Sequence, residues 1–519
     1  MTPYKAPVDD ILFALNLAGA GTLPDWNEDM TREILGHFGR FAEDRLAPLD
    51  EPGDRQGCRI ESGRVRMPDG FAEAWAELVE QGWHAIGLPE RWGGQQLPAP
   101  LLGAISEVFA GANHSLQMVP ALVPGVARTI LNFGTDAQKE RWLPRLATGD
   151  WLTAMALTEP GAGSDLSGIR TRAIQGGDHW VLEGEKIFIS GGDQDLSPHI
   201  LHLVLARTGR PEDGTRGLSL FLTPSTDDSG ARSTISVTRI EEKLGLHGSP
   251  TCQMSYDGAK AELLGDLGGG LRAMFTLMNH ARLEVSLHGL AHATRASHIA
   301  RAYAAERSQG GKTLDRHADV RRMLEEADAL SLCGRVVTLT AMTELQRNGD
   351  TPLVDFLTPV AKVMGTDAGI RAADLAIQVL GGYGYVREYR VEQTWRDARI
   401  TSIYEGANGI HARQLATRGL RHGGGAAADA FDAMIAETPE LATELDLWRQ
   451  ARQRLTASDD PEAEAHAFMQ LTITLALAQA AQRLGAAAAA SPDPERYART
   501  AAFVAGRTPA LAAFWAAQC

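Results

Sequence analysis

The chain has 519 residues, 44% of them apolar and 22% charged, enough to bury an ample core and to divide into roughly two to four domains. A formal net charge of -15 argues against an extended nucleic-acid surface, although a local basic cleft for an anionic ligand stays open. Four scattered cysteines, Cys58, Cys252, Cys333 and Cys519, show no CxxC spacing and no adjoining histidine cluster. Neither a disulfide framework nor a zinc site is expected, and a reducing cytoplasm fits best.

In chain order, the apolar segment from Ile11 to Gly21 follows Asp9-Asp10, where a signal peptide would carry positive charge, so it reads as a docking segment. The stretch up to residue 155 reads as helical, with one amphipathic run opening at Trp26-Asn27-Glu28-Asp29 and another from Phe71 to Gln81. Between Trp180 and Tyr256 the pattern turns to short β-rich runs at 180–182, 186–189, 200–206, 218–222 and 235–237. Turn clusters such as Gln175-Gly176-Gly177-Asp178 punctuate them, and the domain is expected to be closed or sandwiched to protect its edges.

Helical periodicity returns at Leu271, with Met274, Met278, Ala281 and Val285 on one face, and again from Val320 to Leu330. A third helix is predicted to be capped by Thr358, to have Pro359 at its first position and to stop at Gly381-Gly382. Three long helices and a shorter one make a bundle. His422-Gly423-Gly424-Gly425 reads as a linker into an alanine-rich helical tail. The apolar run from Met469 to Ala481 is too short and too interrupted for the about 20 residues of a membrane span.

Two phrases carry chemistry. In Thr158-Glu159-Pro160-Gly161-Ala162-Gly163-Ser164-Asp165, the glycines let a turn present backbone N–H groups to an anion, and two hydroxyls can bond phosphate or ring atoms. A plain surface loop is the bland alternative. No GxGxxG sits on a strand-to-helix turn, so a Rossmann reading fails. Far downstream, Tyr404-Glu405-Gly406 holds one carboxylate between an aromatic and a glycine. His288 and His292 have metal-compatible spacing but lack an acidic third ligand; no metal is expected and they read as bundle residues.

The 158–165 phrase resembles the signature loop of the acyl-CoA dehydrogenase family, and Tyr404-Glu405-Gly406 resembles that family's loop for the catalytic glutamate. Glu185 to Gly192, Lys243 to Ser249 and Gln378 to Tyr385 match in family order, over residues of about 30 to 420. The wording around Gly191-Gly192-Asp193, Asn279-His280-Ala281-Arg282 and Glu405 to Ile410 is similar to the 3-(methylthio)propanoyl-CoA dehydrogenase subgroup, whose members also have a helical C-terminal extension.

The resemblance implies a mainly α fold with a central β-domain: a helical domain at 1–155, a middle β-domain at 156–270, a four-helix bundle at 271–421 and a helical extension at 422–519. It implies FAD as cofactor, an acyl-CoA substrate, an electron-transfer flavoprotein as acceptor, and a homodimer or dimer of dimers. Glu405 inherits the role of base, taking the proton next to the thioester carbonyl while hydride leaves the next carbon for flavin N5. Thr158, Gly163, Ser164, Phe188 and Ser190 inherit flavin contacts, and Ser164 also lies near the thioester arm.

By the same resemblance, Arg307 reaches the flavin pyrophosphate of a neighbouring subunit, and Gln378, Gly381 and Gly382 close over the adenosine half. Asn279, Arg282, Tyr404 and Gly406 shape the acyl-CoA pocket. Ala281 stands where some relatives carry the glutamate. Gly310, Ala407 and Gly409 depart from the family pattern, so contacts made by those side chains do not carry over. Two alternatives stay open: an acyl-CoA oxidase that uses oxygen, and a flavin-containing, nucleic-acid-associated paralogue. Against the second, Asp429, Asp432, Glu437, Glu440, Glu444 and Asp446 crowd the start of the extension.

Overall fold

The computed structural model describes residues 2–177 and 179–519, apart from the side chains of residues 275–280. The chain forms two compact units, one from Met1–Glu43, Pro98–Ala112 and Arg282–Cys519, the other from Asp44–Leu97 and Asn113–Ala281. The fold is mainly α with a central β-domain, as expected.

The second unit is built around a sheet that closes on itself. The unit's strands are β1 (Arg59–Glu61) and β2 (Arg64–Arg66), which among the described residues pair only with each other, and the seven of the main sheet, β3 (Trp151–Ala156), β4 (Arg172–Gly176), β5 (His179–Ser190), β6 (His199–Arg207), β7 (Leu218–Pro224), β8 (Ile235–Ile240) and β9 (Thr251–Leu264). Strand β6 pairs with β4, β4 with β5, β5 with β9, β9 with β7, and β7 returns to β6. Closure leaves the ring no unpaired edge. Strand β3 adds parallel to β6, and β8 adds to β9. Leu182, Ile189, Val204, Phe221, Met254 and Tyr256 fill the interior.

Two elements depart from the sequence reading. The stretch before residue 155 is not wholly helical: β1 and β2 form a hairpin over Ser62-Gly63, both left-handed, and Trp151–Ala156 is a strand. That run is almost entirely buried between neighbours, so it has no alternating face to betray it. The third helix also begins earlier, at Pro352–Leu380, capped by Thr351, whose hydroxyl accepts from the Val354 N–H. The same Thr-Pro signal occurs twice. At the second copy the Thr358 hydroxyl instead donates back to the Val354 carbonyl inside the helix. The predicted stop is where expected, Gly381 leaving the helix with φ of 62°.

In the first unit, Pro352–Leu380 crosses the part of the helix Gly270–Glu306 from Arg282 onward at backbone contact. A Cβ on Gly289 would lie 2.1 Å from the Gly365 carbonyl oxygen, and one on Gly369 would lie 2.5 Å from that of Gly289. The buried pair Glu107–Arg335 adds a two-pronged link: Arg335 Nε lies 3.0 Å from both carboxylate oxygens, and its Nη2 donates to Thr294. The C-terminal helices pack on this core. Phe431 stacks on Phe356 at 4.9 Å, and Trp448 stacks on Phe468 and donates to Thr472.

The last helix, Pro494–Ala516, is tied in by charge. Arg496 bonds both Asp10 and Asp328, Tyr497 donates to Asp10, and Arg301 and Ser297 also reach Asp328. Asp10 belongs to the helix Val8–Leu17, so the segment read as a docking element is seated by this network. Among the described residues, no helix is long and apolar enough to cross a membrane.

Candidate active site

Of the predicted site residues, those in the first unit fall into two groups. The first surrounds Glu405. The 3-10 turn Ile400–Ser402 hands the chain to Glu405 and Gly406, which are both left-handed with φ of 53° and 95°, before the helix Asn408–Gln414 starts. The left-handed region costs a non-glycine residue about 1–2 kcal/mol, and such strain persists only where surroundings enforce it.

Here the enforcement is visible. The Glu405 carbonyl accepts from His411 Nε2 at 3.1 Å, and the Gly406 carbonyl accepts from Lys362 Nζ at 2.8 Å. Lys362 also donates to Asn408 Oδ1 at 2.8 Å, and Asn408 in turn donates to Asp367. Because a carbonyl only accepts, His411 carries its proton on Nε2. Burial pushes its pKa down to about 3, aided by Arg282 and Lys362, so it is neutral at ordinary pH. Glycine is required at 406: a Cβ would lie 2.8 Å from His411 Nε2.

The side chain so aimed is unsupported at its tip. Glu405 Oε2 is shut off from solvent with no hydrogen-bond partner among the described residues. Burial raises the Glu405 pKa, and the charges of Arg282 and Lys362 only partly oppose it. Arg282 is 6% exposed, and its own pKa is lowered by burial against the pull of Glu405. Tyr404 is held by a 2.7 Å bond between its hydroxyl and His288 Nδ1. Burial, with Glu405 and Glu284 adding, raises its pKa well above the usual phenol value, keeping it neutral.

Glu405, Tyr404, Gly406 and Arg282 are thus brought together; Asn279, with Met278 and His280, lies outside the described residues. Sequence reasoning missed Lys362, His411 and Asn408, and took His288 for ordinary packing. A lysine in an otherwise apolar helical stretch, Val360-Ala361-Lys362-Val363-Met364, was the available signal. Among the described residues no cluster of three metal-ligating side chains forms, and His292 is pushed down to about 3 by burial.

The second group is exposed. Arg307 lies over the Tyr383 ring at 5.9 Å, and Tyr303, Tyr383 and Tyr389 pack edge to face or tilted with centroids 5.2–6.2 Å apart. Gln378, Gly381 and Gly382 lie at the adjoining helix end, and nothing stands within 4 Å of where a Cβ would sit on either glycine.

The remaining predicted residues belong to the second unit. The Ile187 N–H donates to the Thr158 carbonyl at 2.9 Å, which fastens the 158–165 loop to the strand carrying Phe188 and Ser190. A buried ion pair locks the same junction. Lys186 Nζ donates to Glu159 Oε1 and to the Leu157 carbonyl, each at 2.8 Å, while Glu159 also accepts from the Arg170 and Thr171 N–H groups. Strand β5 loses register between Lys186 and Ile189, and Phe188 takes a left-handed φ of 58°.

The result is an exposed Phe188, 60% accessible, on the strand that also carries the half-buried Ser190 and to which the half-buried Thr158 is bonded. Gly163 and Ser164 lie on the exposed crest of the loop, with open space over Gly163. An aromatic face, three hydroxyls and an unobstructed glycine backbone are a donor set suited to a planar, phosphate-bearing cofactor, and the residues present fit a flavin. Glu159 and Lys186, which hold this set together, are further positions not singled out from sequence.

The chain matches the family models for the acyl-CoA dehydrogenase N-terminal domain at residues 28–150, middle domain at 154–259 and C-terminal domain at 268–420. It is 38% identical over 466 residues to 3-methylmercaptopropionyl-CoA dehydrogenase of Ruegeria pomeroyi, covering 84% of this chain and 79% of that protein. It is 32% identical to the broad-specificity linear acyl-CoA dehydrogenase FadE5 of Mycobacterium tuberculosis, covering 84% and 78%. Among solved structures, butyryl-CoA dehydrogenase of Megasphaera elsdenii superposes with a TM-score of 0.66 at 28% identity, covering 75% of this chain and 97% of that one. Caenorhabditis elegans ACDH-11 superposes with a TM-score of 0.80, covering 97% and 92%; at 19% identity that is a likeness of fold alone. The chain belongs to the acyl-CoA dehydrogenase family, whose members are flavoprotein oxidoreductases.

Proposed function

We propose that the protein is an FAD-dependent acyl-CoA dehydrogenase that converts an acyl-CoA thioester to the trans-2-enoyl-CoA, with Glu405 as base. The observation that carries this reading is the buried, unpartnered Oε2 of Glu405 on a turn whose two carbonyls are gripped from behind. A carboxylate with no donor of its own is a stronger base than one in water, because burial disfavours its charge. It takes the α-proton as the Cα–H bond breaks and is left as the neutral acid. Bound FAD supplies the acceptor for the hydride that leaves Cβ.

Thr158, Gly163, Ser164, Phe188 and Ser190 would hold the flavin. Arg307, Gln378, Gly381 and Gly382, exposed together, would serve the FAD of a second copy, which makes the active form a homodimer or a dimer of dimers. Arg282, Tyr404, Gly406 and Asn279 line the acyl side. The similarity to the Ruegeria enzyme supports 3-(methylthio)propanoyl-CoA or a related short or medium acyl-CoA as substrate. An electron-transfer flavoprotein is the proposed acceptor, and the cytoplasm the proposed setting. The domain division proposed is 1–155, 156–270, 271–421 and 422–519.

The test is anaerobic bleaching of the yellow holoenzyme across a panel of acyl-CoAs, with Glu405→Gln beside the wild type. The variant should retain flavin and bind substrate while bleaching at least about 10³-fold more slowly. Wild-type turnover by Glu405→Gln on every accepted substrate would end the reading.

A further inference from the structure

Lys362 is fully buried in the middle of the helix Pro352–Leu380, and no carboxylate is hydrogen-bonded to its ammonium among the described residues. A buried lysine is costly unless something specific needs its charge. Its two bonds run to the Gly406 carbonyl and to Asn408 Oδ1, so it spans the turn that presents Glu405.

We propose that Lys362 is a positioning residue for Glu405: its ammonium fixes the left-handed Glu405-Gly406 turn through the Gly406 carbonyl, and its charge favours the ionised carboxylate. This rests on the reading of Glu405 as base. Three features support it beyond the hydrogen bonds. Glu405 Oε2 has no donor among the described residues, so its charge is stabilised through space and not by a bond. The cations acting on it are Arg282, on the helix Gly270–Glu306, and Lys362. His411 and Tyr404, the titratable groups on either side of the turn, are both neutral at ordinary pH and contribute no compensating charge.

The groups facing Lys362 are Asp367 and Glu405, which favour its charge, and Arg282, which opposes it. Burial outweighs them and pushes the Lys362 pKa down to about 7. Lys362 and Glu405 each favour the charged form of the other. While the ammonium is charged, Glu405 ionises at lower pH; once it is removed, ionisation requires higher pH. The sign is fixed: loss of the charge moves the acid limb of the rate profile upward.

The experiment is the pH profile of kcat/KM for flavin-loaded wild type, Lys362→Gln, Lys362→Met and Lys362→Arg. Gln keeps a donor without charge, Met keeps neither, and Arg keeps both. The acid limb should move up by about one pH unit or more in Gln and Met and stay near the wild-type position in Arg. Below the limb, kcat/KM of the Gln and Met variants should fall about tenfold for every pH unit by which the limb has moved. A merely structural role would lower the rate equally at every pH.

Coincident acid limbs for wild type, Gln and Arg would overturn the proposal, and that comparison decides it even where Met fails to fold. Glu405→Gln in parallel separates the two claims. If it turns over normally, the base assignment fails; if it is inactive while the Lys362 limbs coincide, only the role of Lys362 fails.

Discussion

Gly406→Ala offers a direct measure of how tightly the base is held. Alanine would have to take a φ of 95° and place its Cβ 2.8 Å from His411 Nε2. The first requirement costs about 1 kcal/mol in the left-handed region. The second displaces the imidazole and breaks its bond to the Glu405 carbonyl, another about 1 kcal/mol. Together about 2 kcal/mol against the productive turn corresponds to an about 30-fold loss of kcat/KM. Dye-coupled turnover at saturating and limiting acyl-CoA, on protein of matched flavin content, reads this out. A double-mutant cycle adds a second check: in a His411→Ala background the clash is gone, so Gly406→Ala should cost only the conformational part, roughly fivefold. Activity of Gly406→Ala within about twofold of wild type would refute the claim that this turn needs its geometry.

Two further outcomes concern the rest of the molecule. Lys186→Met strands the Glu159 carboxylate at the joint between the 158–165 loop and β5, and breaking a buried pair from one side costs about 3 kcal/mol. The holoenzyme should melt several degrees lower and release flavin more readily; an unchanged melting midpoint would show that the pair is dispensable. Burial pushes Cys58, Cys252 and Cys333 up to about 12 and Cys519 up to about 11, so thiolate is scarce at pH 8. Iodoacetamide should label native protein slowly and denatured protein at all four positions; rapid labelling of the native form would contradict the burial.

The parts legible in the sequence were those written in local signals. The helix Glu28–Phe41 opens within the phrase Trp26-Asn27-Glu28-Asp29, and Gly381 ends Pro352–Leu380, because helix ends are marked by single residues. The β-rich runs from Trp180 onward became strands because turn clusters separate them. Strand β3 escaped notice because a fully buried strand has no polar side, and the helix start at Thr351 because Thr358-Pro359 repeats its signal. In the site, the glycine after Glu405 was legible and the reason for it was not. His411 reaches back to Glu405 from the helix that follows the turn, six residues on, whereas Lys362 meets the turn only through tertiary packing, from 44 positions before Gly406. Glu159 likewise looked like one letter of a loop, while its partner Lys186 lies 27 residues on.

The salt-bridge network that seats the first helix has a consequence for the order of folding. Asp10 finds its cation, Arg496, 486 residues later in the chain. At a synthesis rate of about 5–20 residues per second, the first helix waits on the order of half a minute to a minute and a half for that partner. During that interval the Asp10 carboxylate lacks its bonds to Arg496 and Tyr497, and Arg335 is the earlier cation that favours its charge. The bonds that lock the helix Val8–Leu17 through Asp10 can form only once the helix Pro494–Ala516 has been made, so this anchoring comes late even though the helix itself is made early.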